Sequence, residues 1–368
     1  MYFDPRPKVN RKDFFDREDE LKKFREFALS SPLFIIKGLR RTGKTSLLLT
    51  ALNSYKLKGI VFDCRRLPSE GLIDKRSFLL EFCNSIDTFI KRNAGWRKIF
   101  IDILQKVKGI SFYGISVEFD DKKLDFIDIF EKLNDIANKK ATRLLLIFDE
   151  AQELRRFVKY RMDKIFAYIY DNLKNLCVVL TGSEVGLLYQ FLQVHNPEAP
   201  LYGRVIDEIN LLPLSHILSK KFLIKGYKQF GISPSEEFIE YAVSKLNGIV
   251  GWLAYLGWST RNKKILKKED VDKVLEEAGN LSLSEFKRFL KLHFQAEKRY
   301  KLIMHAISEE FNTWGKIKNY LKLNGEKITD KNLSNLLKNL QNAGFIEKKE
   351  KRYLITDPVL LFAIKKSG

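Results

Sequence analysis

The spacing Gly-x-x-x-x-Gly-Lys-Thr at residues 38–45 constrains the fold of this chain more than any other feature. It follows the apolar run Leu33–Ile36, which predicts a strand, and it precedes Ser46–Leu49, which predicts a helix. Glycines let such a loop curl so that backbone N–H groups face phosphates, and the N-terminus of the following helix adds the positive end of a dipole. The context therefore predicts a P-loop that binds nucleotide phosphates.

Individual residues of this loop have distinct predicted roles. Lys44 is expected to reach the β- and γ-phosphates of ATP, and the Thr45 hydroxyl is expected to bind Mg²⁺. Arg40 and Arg41 either make extra phosphate contacts, or are exposed to solvent or paired with an acid. The predicted nucleotide-binding residues of the loop are Gly38, Leu39, Arg40, Arg41, Thr42, Gly43, Lys44, Thr45 and Ser46.

A second strand-like run, Arg143–Asp149, carries two acids at its end, Asp149 and Glu150. A buried parallel strand delivers such groups at its carboxyl end, where ligands bind in α/β sheets. Asp149 is expected to hold Mg²⁺, and Glu150 is expected to polarise the water that attacks the γ-phosphate. After the next predicted strand, the hydroxyl of Thr181 or Ser183 either orients that water or caps the junction between strand and helix.

The composition limits the class of protein and its partners. The formal net charge of +20, from 66 Lys and Arg against 46 Asp and Glu, favours either a polyanion such as nucleic acid as partner or a heat-adapted, charged surface. Three scattered cysteines and four separated histidines lack the spacing of a metal or redox motif, so the cysteines are expected in the core. Since no run of about 18 apolar residues occurs, we expect a cytoplasmic protein.

The pattern along the chain predicts an α/β domain followed by two smaller domains. Apolar runs alternate with amphipathic stretches up to about residue 210, as in a parallel sheet covered by helices. An insertion at 94–120 includes an alternating stretch, Gly109–Phe119, in which Gly114 suggests a hairpin. Helical periodicity follows Pro213. The predicted domains are a P-loop ATPase domain at 1–212, a helical lid at 213–290 and a winged helix at 291–368.

Three helices followed by a two-stranded ribbon predict the winged helix. Its third helix, Asp330–Ala343, precedes the ribbon strands Phe345–Lys348 and Arg352–Ile355. Duplex DNA is one partner that this basic domain predicts, since the ribbon can contact phosphates and polar groups of the helix can reach bases; a structural, solvated role is the alternative. The residues in question are Lys348, Lys349, Lys351 and Arg352 on the ribbon, and Lys331, Asn332, Asn335, Lys338 and Asn339 on the helix.

Five segments together resemble the archaeal ATPase family, which belongs to the STAND branch of AAA+-related NTPases, relatives of the origin-recognition ATPases. These segments are Phe15–Leu21, Gly38–Ser46, Phe148–Gln152, Leu180–Ser183 and Pro200–Arg204.

The resemblance implies further roles by position. Phe15 and Arg17 would line the adenine pocket, although Asp16 replaces a glycine of the family pattern. Arg204 would sense or stabilise the γ-phosphate, in cis or from a neighbouring copy. The segment Gly251–Leu253 lies where related proteins have Gly-x-Pro in the lid.

These observations predict an enzyme that hydrolyses ATP to ADP and phosphate with Mg²⁺ and couples its nucleotide state to domain rearrangement. Glu150, Arg204 and Ser183 are the predicted catalytic residues. One alternative is a slow nucleotide-gated switch or scaffold that acts on a protein partner; self-association is a further expected contact. The other is a winged-helix DNA-binding regulator in which nucleotide is structural.

Overall fold

The chain folds into two compact units. In this computed structural model, one unit comprises Lys8–Gly38 with Lys44–Leu211, and the other comprises Met1–Pro7, Leu39–Gly43 and Leu212–Gly368. Within the described part, no helix combines the length and the low polarity needed to cross a lipid bilayer. The structure describes residues 1–68, 71–104, 110–113, 116–119 and 125–367.

The first unit alternates strands and helices, as the sequence pattern predicts. Its strands are β1 (Leu33–Lys37), β2 (Lys58–Asp63), β3 (Ile110–Tyr113), β4 (Ser116–Phe119), β5 (Leu144–Asp149), β6 (Leu176–Gly182) and β7 (Asp207–Asn210). Its helices are α1 (Glu18–Ser30), α2 (Lys44–Ser54), α3 (Lys75–Arg92), α4 (Arg97–Leu104), α5 (Phe126–Lys139), α6 (Met162–Asn172) and α7 (Val185–Leu192).

Five of these strands form one parallel sheet in the order β2-β5-β6-β1-β7. An additional strand, β6, thus separates the P-loop strand β1 from the acid-bearing strand β5. Strands β3 and β4 pair antiparallel, which confirms the predicted strand pair, while Gly114 between them lies outside the described residues. The order brings the carboxyl ends of β5, β6 and β1 together at one edge of the sheet.

The sheet has a hydrophobic core on each face. Leu33 and Ile35 of β1 belong to the core on the face covered by α3, α5 and α6. Phe34 and Ile36 belong to the core on the opposite face, with α1 and α2. Alternate side chains of a strand point to opposite faces, so a strand buried on both faces must be continuously apolar. That is why β1, β5 and β6 were recognisable as apolar runs. The three cysteines are free and buried, as predicted.

The second unit is mainly helical. Its elements are α8 (His216–Lys228), α9 (Glu236–Leu246), α10 (Val250–Thr260), α11 (Lys268–Leu292), α12 (Glu297–Ser308), α13 (Trp314–Leu323), α14 (Asp330–Asn342), β8 (Ile346–Lys349), β9 (Arg352–Ile355) and α15 (Pro358–Ser367).

Helix α11 is longer than its sequence indicated. The pattern predicted a helix that ends near Glu277, but the helix continues to Leu292. Phe286 and Leu290 extend its buried stripe at helical spacing. Gly279 does not interrupt it, since a Cβ at this position would lie 3.1 Å from the Cβ of Ala363 in α15. Close packing of two helices therefore accounts for a glycine inside the helix.

The winged-helix elements α12, α13, α14, β8 and β9 occur in the predicted order. Gly344, with φ of 76°, follows α14 in the left-handed conformation that glycine adopts without strain. The first ribbon strand is displaced by one residue from the prediction, because Lys349 pairs with Arg352 as part of the strands, whereas β9 has the predicted bounds. Only Glu350 and Lys351 remain in the turn, and φ of 54° at Glu350 closes it.

Candidate nucleotide site

The predicted phosphate-binding loop connects the carboxyl end of β1 to the start of α2. Gly43 has φ of 96°, which favours glycine and lets the chain turn into α2 at Lys44. The Lys44 side chain is buried, and its ammonium donates to the carbonyl oxygen of Gly38 at 3.0 Å. Thr42 Oγ1 donates to the carbonyl oxygen of Leu39 at 2.8 Å. The loop therefore supports its own curled conformation.

Thr45 and Asp149, the two residues expected to bind Mg²⁺, contact each other. The Thr45 hydroxyl donates to Asp149 Oδ2 at 3.0 Å, and the Asp149 side chain is buried. A hydroxyl and a carboxylate are the hard oxygen donors that Mg²⁺ prefers beside substrate phosphates. Burial raises the pKa of Asp149, and the hydrogen bond from Thr181 opposes that rise. The donor set fits a magnesium ion.

Three hydrogen-bond donors hold the Glu150 side chain, and all three donate to the same carboxylate oxygen. Its Oε2 accepts from Gln152 Nε2 at 2.7 Å, from Ser183 Oγ at 2.6 Å and from the Ser183 backbone N–H at 3.1 Å. Burial works to raise the pKa of Glu150, but the charge of Lys44 and these hydrogen bonds lower it overall. Glu150 therefore stays ionised at neutral pH.

Thr181 connects the two acids. Its hydroxyl donates to Asp149 Oδ1 and accepts from the backbone N–H of Glu150 at 3.0 Å. Glu150 has φ of 56°, a left-handed conformation that is uncommon for a residue other than glycine. The hydrogen bond from Thr181 helps to hold this conformation, which begins the turn after β5.

Two residues of the site had no role predicted from sequence. Gln152 belongs to the segment that carries the family resemblance, but only the structure shows that its amide donates to Glu150. Arg65 follows β2, where the register pairs Asp63 with Asp149 of β5. Its guanidinium Nη2 lies 3.5 Å from Asp149 Oδ2. The only sequence signal for Arg65 is that it closely follows a predicted strand end.

Comparison with known proteins agrees with this geometry. Residues 14–256, well over half of the chain, match the family described as an ATPase domain predominantly from Archaea. The chain belongs to this archaeal ATPase family. Residues 294–355 match the C-terminal winged helix-turn-helix domain of MCM proteins. This family member is thus an ATP-binding P-loop protein of the ATPase type with a C-terminal winged helix.

Individual relatives agree with this assignment. A Walker-type ATPase of Pyrococcus abyssi is 34% identical, with a TM-score of 0.84 over 99% of this chain and 100% of the other. The ORC2 protein of Aeropyrum pernix has the same fold, with 14% identity and a TM-score of 0.57 over 99% of this chain and 96% of the other. An uncharacterized ATP-binding protein of Methanocaldococcus jannaschii is 26% identical over 46% of this chain. The match spans about half, 48%, of that relative.

The segment predicted to line the adenine pocket of this family member precedes α1. Asp16 and Arg17 both have positive φ, 58° and 73°, so Asp16 adopts the conformation that explains a glycine in the family pattern. Arg17 is buried and pairs with Glu20 at 2.8 Å, and Phe15 is half-buried. Ser46 accepts a hydrogen bond from the Lys8 backbone N–H at 3.0 Å.

For the two loop arginines of this ATPase-type protein, the structure shows a partner acid. Glu285 of α11 lies 3.0 Å from Arg40 Nη1 and 2.5 Å from Arg41 Nη2, all within the second compact unit. Arg41 also lies over the Trp252 ring, 4.1 Å from its centroid. Burial opposes ionisation, but the hydrogen bond and charge of Arg41, with those of Arg40, lower the pKa of Glu285. The ion pair is therefore charged at neutral pH.

The segment predicted to belong to a lid contacts the loop within that unit. The Gly251 backbone N–H donates to the carbonyl oxygen of Arg41 at 2.9 Å. A Cβ on Gly251 would lie 2.6 Å from the Arg41 Cβ, so glycine permits this approach. Leu253, at the position where the resemblance implies a proline, is buried in α10.

Arg204 of this family member pairs with Asp171 near the C-terminus of α6. Its Nε and Nη2 donate to the two carboxylate oxygens at 3.0 and 2.6 Å, and its guanidinium also donates to the carbonyl oxygen of Pro200. Strand β7 begins three residues later, at Asp207. Arg204 therefore precedes the start of a parallel strand, whereas Asp149 and the P-loop lie where their strands end.

Proposed function

We propose that this chain hydrolyses ATP to ADP and phosphate with Mg²⁺. Its nucleotide state would be coupled to rearrangement of a lid (213–290) and a winged helix (291–368) relative to the ATPase domain (1–212). The observation that supports this most directly is the hydrogen-bonded group formed by Thr45, Asp149, Thr181, Glu150 and Ser183 at one edge of the sheet. It combines oxygen donors for a metal ion with an ionised carboxylate.

Residues of the loop, α2 and β5 would bind the nucleotide and its Mg²⁺ ion. Backbone N–H groups of the loop and the start of α2 face the phosphates, and Lys44 adds a cation at the β- and γ-phosphates. Thr45 and Asp149 would hold Mg²⁺, which when bound neutralises charge on the phosphate oxygens. Phe15 and Arg17 would contact the adenine. This arrangement is preorganised, because Lys44 is already hydrogen-bonded to Gly38 of the loop and Thr45 to Asp149.

Glu150 would accept the proton of the attacking water. Gln152 and Ser183 donate to its Oε2, and Oε1 would accept from the water. Ser183 and Gln152 then act as positioning residues, since they hold the carboxylate in one orientation. A carboxylate in this place supplies general-base catalysis of the kind that hydrolysis requires.

The direct test measures three quantities on the full chain: nucleotide affinity, phosphate release and oligomeric state, each with ATP or ADP and with or without duplex DNA. Hydrolysis that requires Mg²⁺ and disappears in Glu150→Gln supports the proposal. Absence of Mg²⁺-dependent ATP turnover in the wild type, under multiple-turnover and single-turnover conditions, contradicts it.

A slow nucleotide-gated switch is the second candidate, and one observation favours it. The three hydrogen bonds on Glu150 and the charge of Lys44 lower its pKa, so the carboxylate is a weak base. Weak basicity predicts slow proton abstraction and a long-lived ATP complex. Single-turnover hydrolysis distinguishes the candidates: a switch retains ATP for many minutes with or without DNA, whereas a DNA-stimulated enzyme turns over faster when DNA is added.

Arg204→Ala tests the role proposed for this arginine at the γ-phosphate. Since Arg204 precedes β7 while the acids follow β5, its position favours action on a neighbouring copy over action in cis. We expect ADP affinity to change little and ATP hydrolysis to fall by about 10-fold or more, because arginines in this role stabilise transition-state charge. In a trans mechanism, the wild-type rate per chain rises with protein concentration and the variant rate does not.

Asp171→Ala is the matched control, because it removes the partner of Arg204 and leaves the guanidinium in place. Loss of ADP and ATP affinity together in Arg204→Ala indicates a folding defect. Unchanged hydrolysis in that variant at every protein concentration contradicts a role for Arg204.

The winged helix is proposed to contact duplex DNA through its ribbon. Lys348, Lys349, Lys351 and Arg352 are all exposed, although Lys349 also pairs with Glu347 at 2.7 Å. Of the polar residues on α14, Asn339 is half-buried and donates to the Tyr300 hydroxyl at 3.0 Å, so it supports the domain instead of facing solvent. The other four, Lys331, Asn332, Asn335 and Lys338, are exposed.

Neutralising the four basic ribbon residues is expected to weaken DNA binding equally on unrelated sequences, since phosphates carry no sequence information. Each lost phosphate contact should reduce the slope of log affinity against log salt by roughly one unit. The matched control neutralises four exposed lysines of the other compact unit, Lys22, Lys23, Lys139 and Lys174. A wild type without DNA affinity at low salt, or equal effects of both quadruple variants, contradicts this role.

A further inference from the structure

Arg65 is anchored at the end of β2 by its neighbour Asp63. Arg65 Nε and Nη2 donate to the two Asp63 carboxylate oxygens, each at 2.8 Å, and the Arg65 backbone N–H donates to Oδ1 at 3.1 Å. This is a bidentate ion pair, in which the planar guanidinium matches the geometry of the carboxylate. The Asp63 hydrogen bonds raise the pKa of Arg65, so the side chain keeps its positive charge.

The same guanidinium also reaches the carboxylate that the nucleotide site offers to a metal ion. Arg65 Nη2 lies 3.5 Å from Asp149 Oδ2, the oxygen that accepts from the Thr45 hydroxyl at 3.0 Å. The Asp149 side chain is only 2% exposed, so its negative charge requires a nearby positive charge. Arg65 supplies one from the turn that follows the adjacent strand, at the position where a bound metal ion would supply another.

We propose that Arg65 competes with Mg²⁺ for Asp149 Oδ2 and thereby sets the Mg²⁺ concentration at which nucleotide binds. This rests on the proposed function and deepens it, because it assigns a positioning residue that regulates the same site. Two cations on one oxygen repel each other, so a metal ion that takes Oδ2 displaces the guanidinium. Asp63 retains the displaced side chain, which keeps it available to return to Asp149 when the metal leaves.

The adjacent residue provides a matched control. Arg66 has almost the same exposure as Arg65, 59% against 57%, and it pairs with Glu81 at 3.2 Å. Arg66→Ala and Arg65→Ala remove the same charge from neighbouring positions, so effects of net charge are common to both. Only Arg65→Ala removes the cation beside Asp149. Arg65→Lys keeps a positive charge without the bidentate contact to Asp63.

The experiment titrates Mg²⁺ into the full chain at a fixed concentration of fluorescent ADP and records the midpoint of nucleotide binding. ADP avoids any dependence on hydrolysis. In Arg65→Ala we expect the midpoint to fall by about 3-fold, the size expected for a solvent-accessible ion pair. Arg66→Ala should match the wild type, and Arg65→Lys should lie between them. The difference should shrink as NaCl is raised, because salt screens exposed charges.

The possible outcomes separate this inference from the function on which it rests. A wild type that does not bind ADP with Mg²⁺ contradicts the proposed function itself. If the wild type binds ADP but Arg65→Ala has an unchanged or raised Mg²⁺ midpoint, Arg65 does not compete with the metal. Equal shifts in Arg65→Ala and Arg66→Ala also overturn the inference, since net charge then accounts for the effect. Circular dichroism and thermal unfolding confirm that each variant is folded before titration.

Discussion

Lys44→Ala is expected to lower ATP affinity by roughly 100-fold or to abolish turnover, since one preorganised cation at the phosphates is worth that much in comparable sites. Lys44 is buried at the start of α2, and its contact with the Gly38 carbonyl holds it at the loop. Alanine removes both the charge and the hydrogen bonds to the β- and γ-phosphates. Calorimetric titration with ATP and with ADP, followed by a phosphate-release assay, measures the loss.

Lys37→Ala is the matched control for this experiment. Lys37 ends β1, one residue before the P-loop, and it pairs with Glu208 instead of the loop. We expect its nucleotide affinity to stay within a few-fold of the wild type. A Lys44→Ala protein that is folded and retains wild-type affinity and turnover contradicts the assignment of the P-loop as the phosphate site.

Glu150→Gln is expected to retain ATP and to hydrolyse it at least about 100-fold more slowly, because an amide cannot accept the proton of water. Glutamine has nearly the same shape and can still accept from Ser183, so the fold should persist. Rapid-quench measurement of a single turnover separates this chemical step from binding and product release. The same preparation should trap an ATP complex that gel filtration can isolate.

Glu153→Gln tests whether the proton acceptor is specifically Glu150. Glu153 lies three residues away and pairs with Arg156 at 2.8 Å. We expect its hydrolysis rate to remain close to that of the wild type. If Glu150→Gln hydrolyses normally and Glu153→Gln does not, the base is Glu153 and the assignment of Glu150 is wrong.

The pH profile of the wild type provides an independent measure of the Glu150 environment. Lys44, Gln152 and Ser183 lower the pKa of Glu150 against the effect of burial. The carboxylate therefore stays charged to a lower pH than an ordinary glutamate, whose pKa is about 4.3. At saturating Mg²⁺, which would keep Asp149 ionised, single-turnover hydrolysis should therefore remain constant as pH falls from 8 towards 5. It should decrease only when the carboxylate protonates.

The amino-acid sequence by itself determined the parts of this protein that depend on local order. The P-loop needs glycines, a lysine and a threonine at fixed spacing between a strand and a helix, and all of these are contiguous. Strands β1, β5 and β6 are buried on both faces, so their apolar runs are visible without tertiary information. The sequence assigned Thr45 and Asp149 separately to Mg²⁺, and their hydrogen bond in the structure reflects that parallel strands bring their carboxyl ends to one edge.

Only the tertiary structure decided which distant side chains complete the site. Arg65 reaches Asp149 because β2 lies beside β5, and no spacing rule joins residues that are 84 positions apart. Glu285 meets Arg40 and Arg41 from a helix whose last turns the sequence pattern did not predict. The sequence alone does not distinguish a charged side chain that faces water from one that pairs with an opposite charge. Its partner is fixed only when packing brings separate elements together and burial makes an unpaired charge costly.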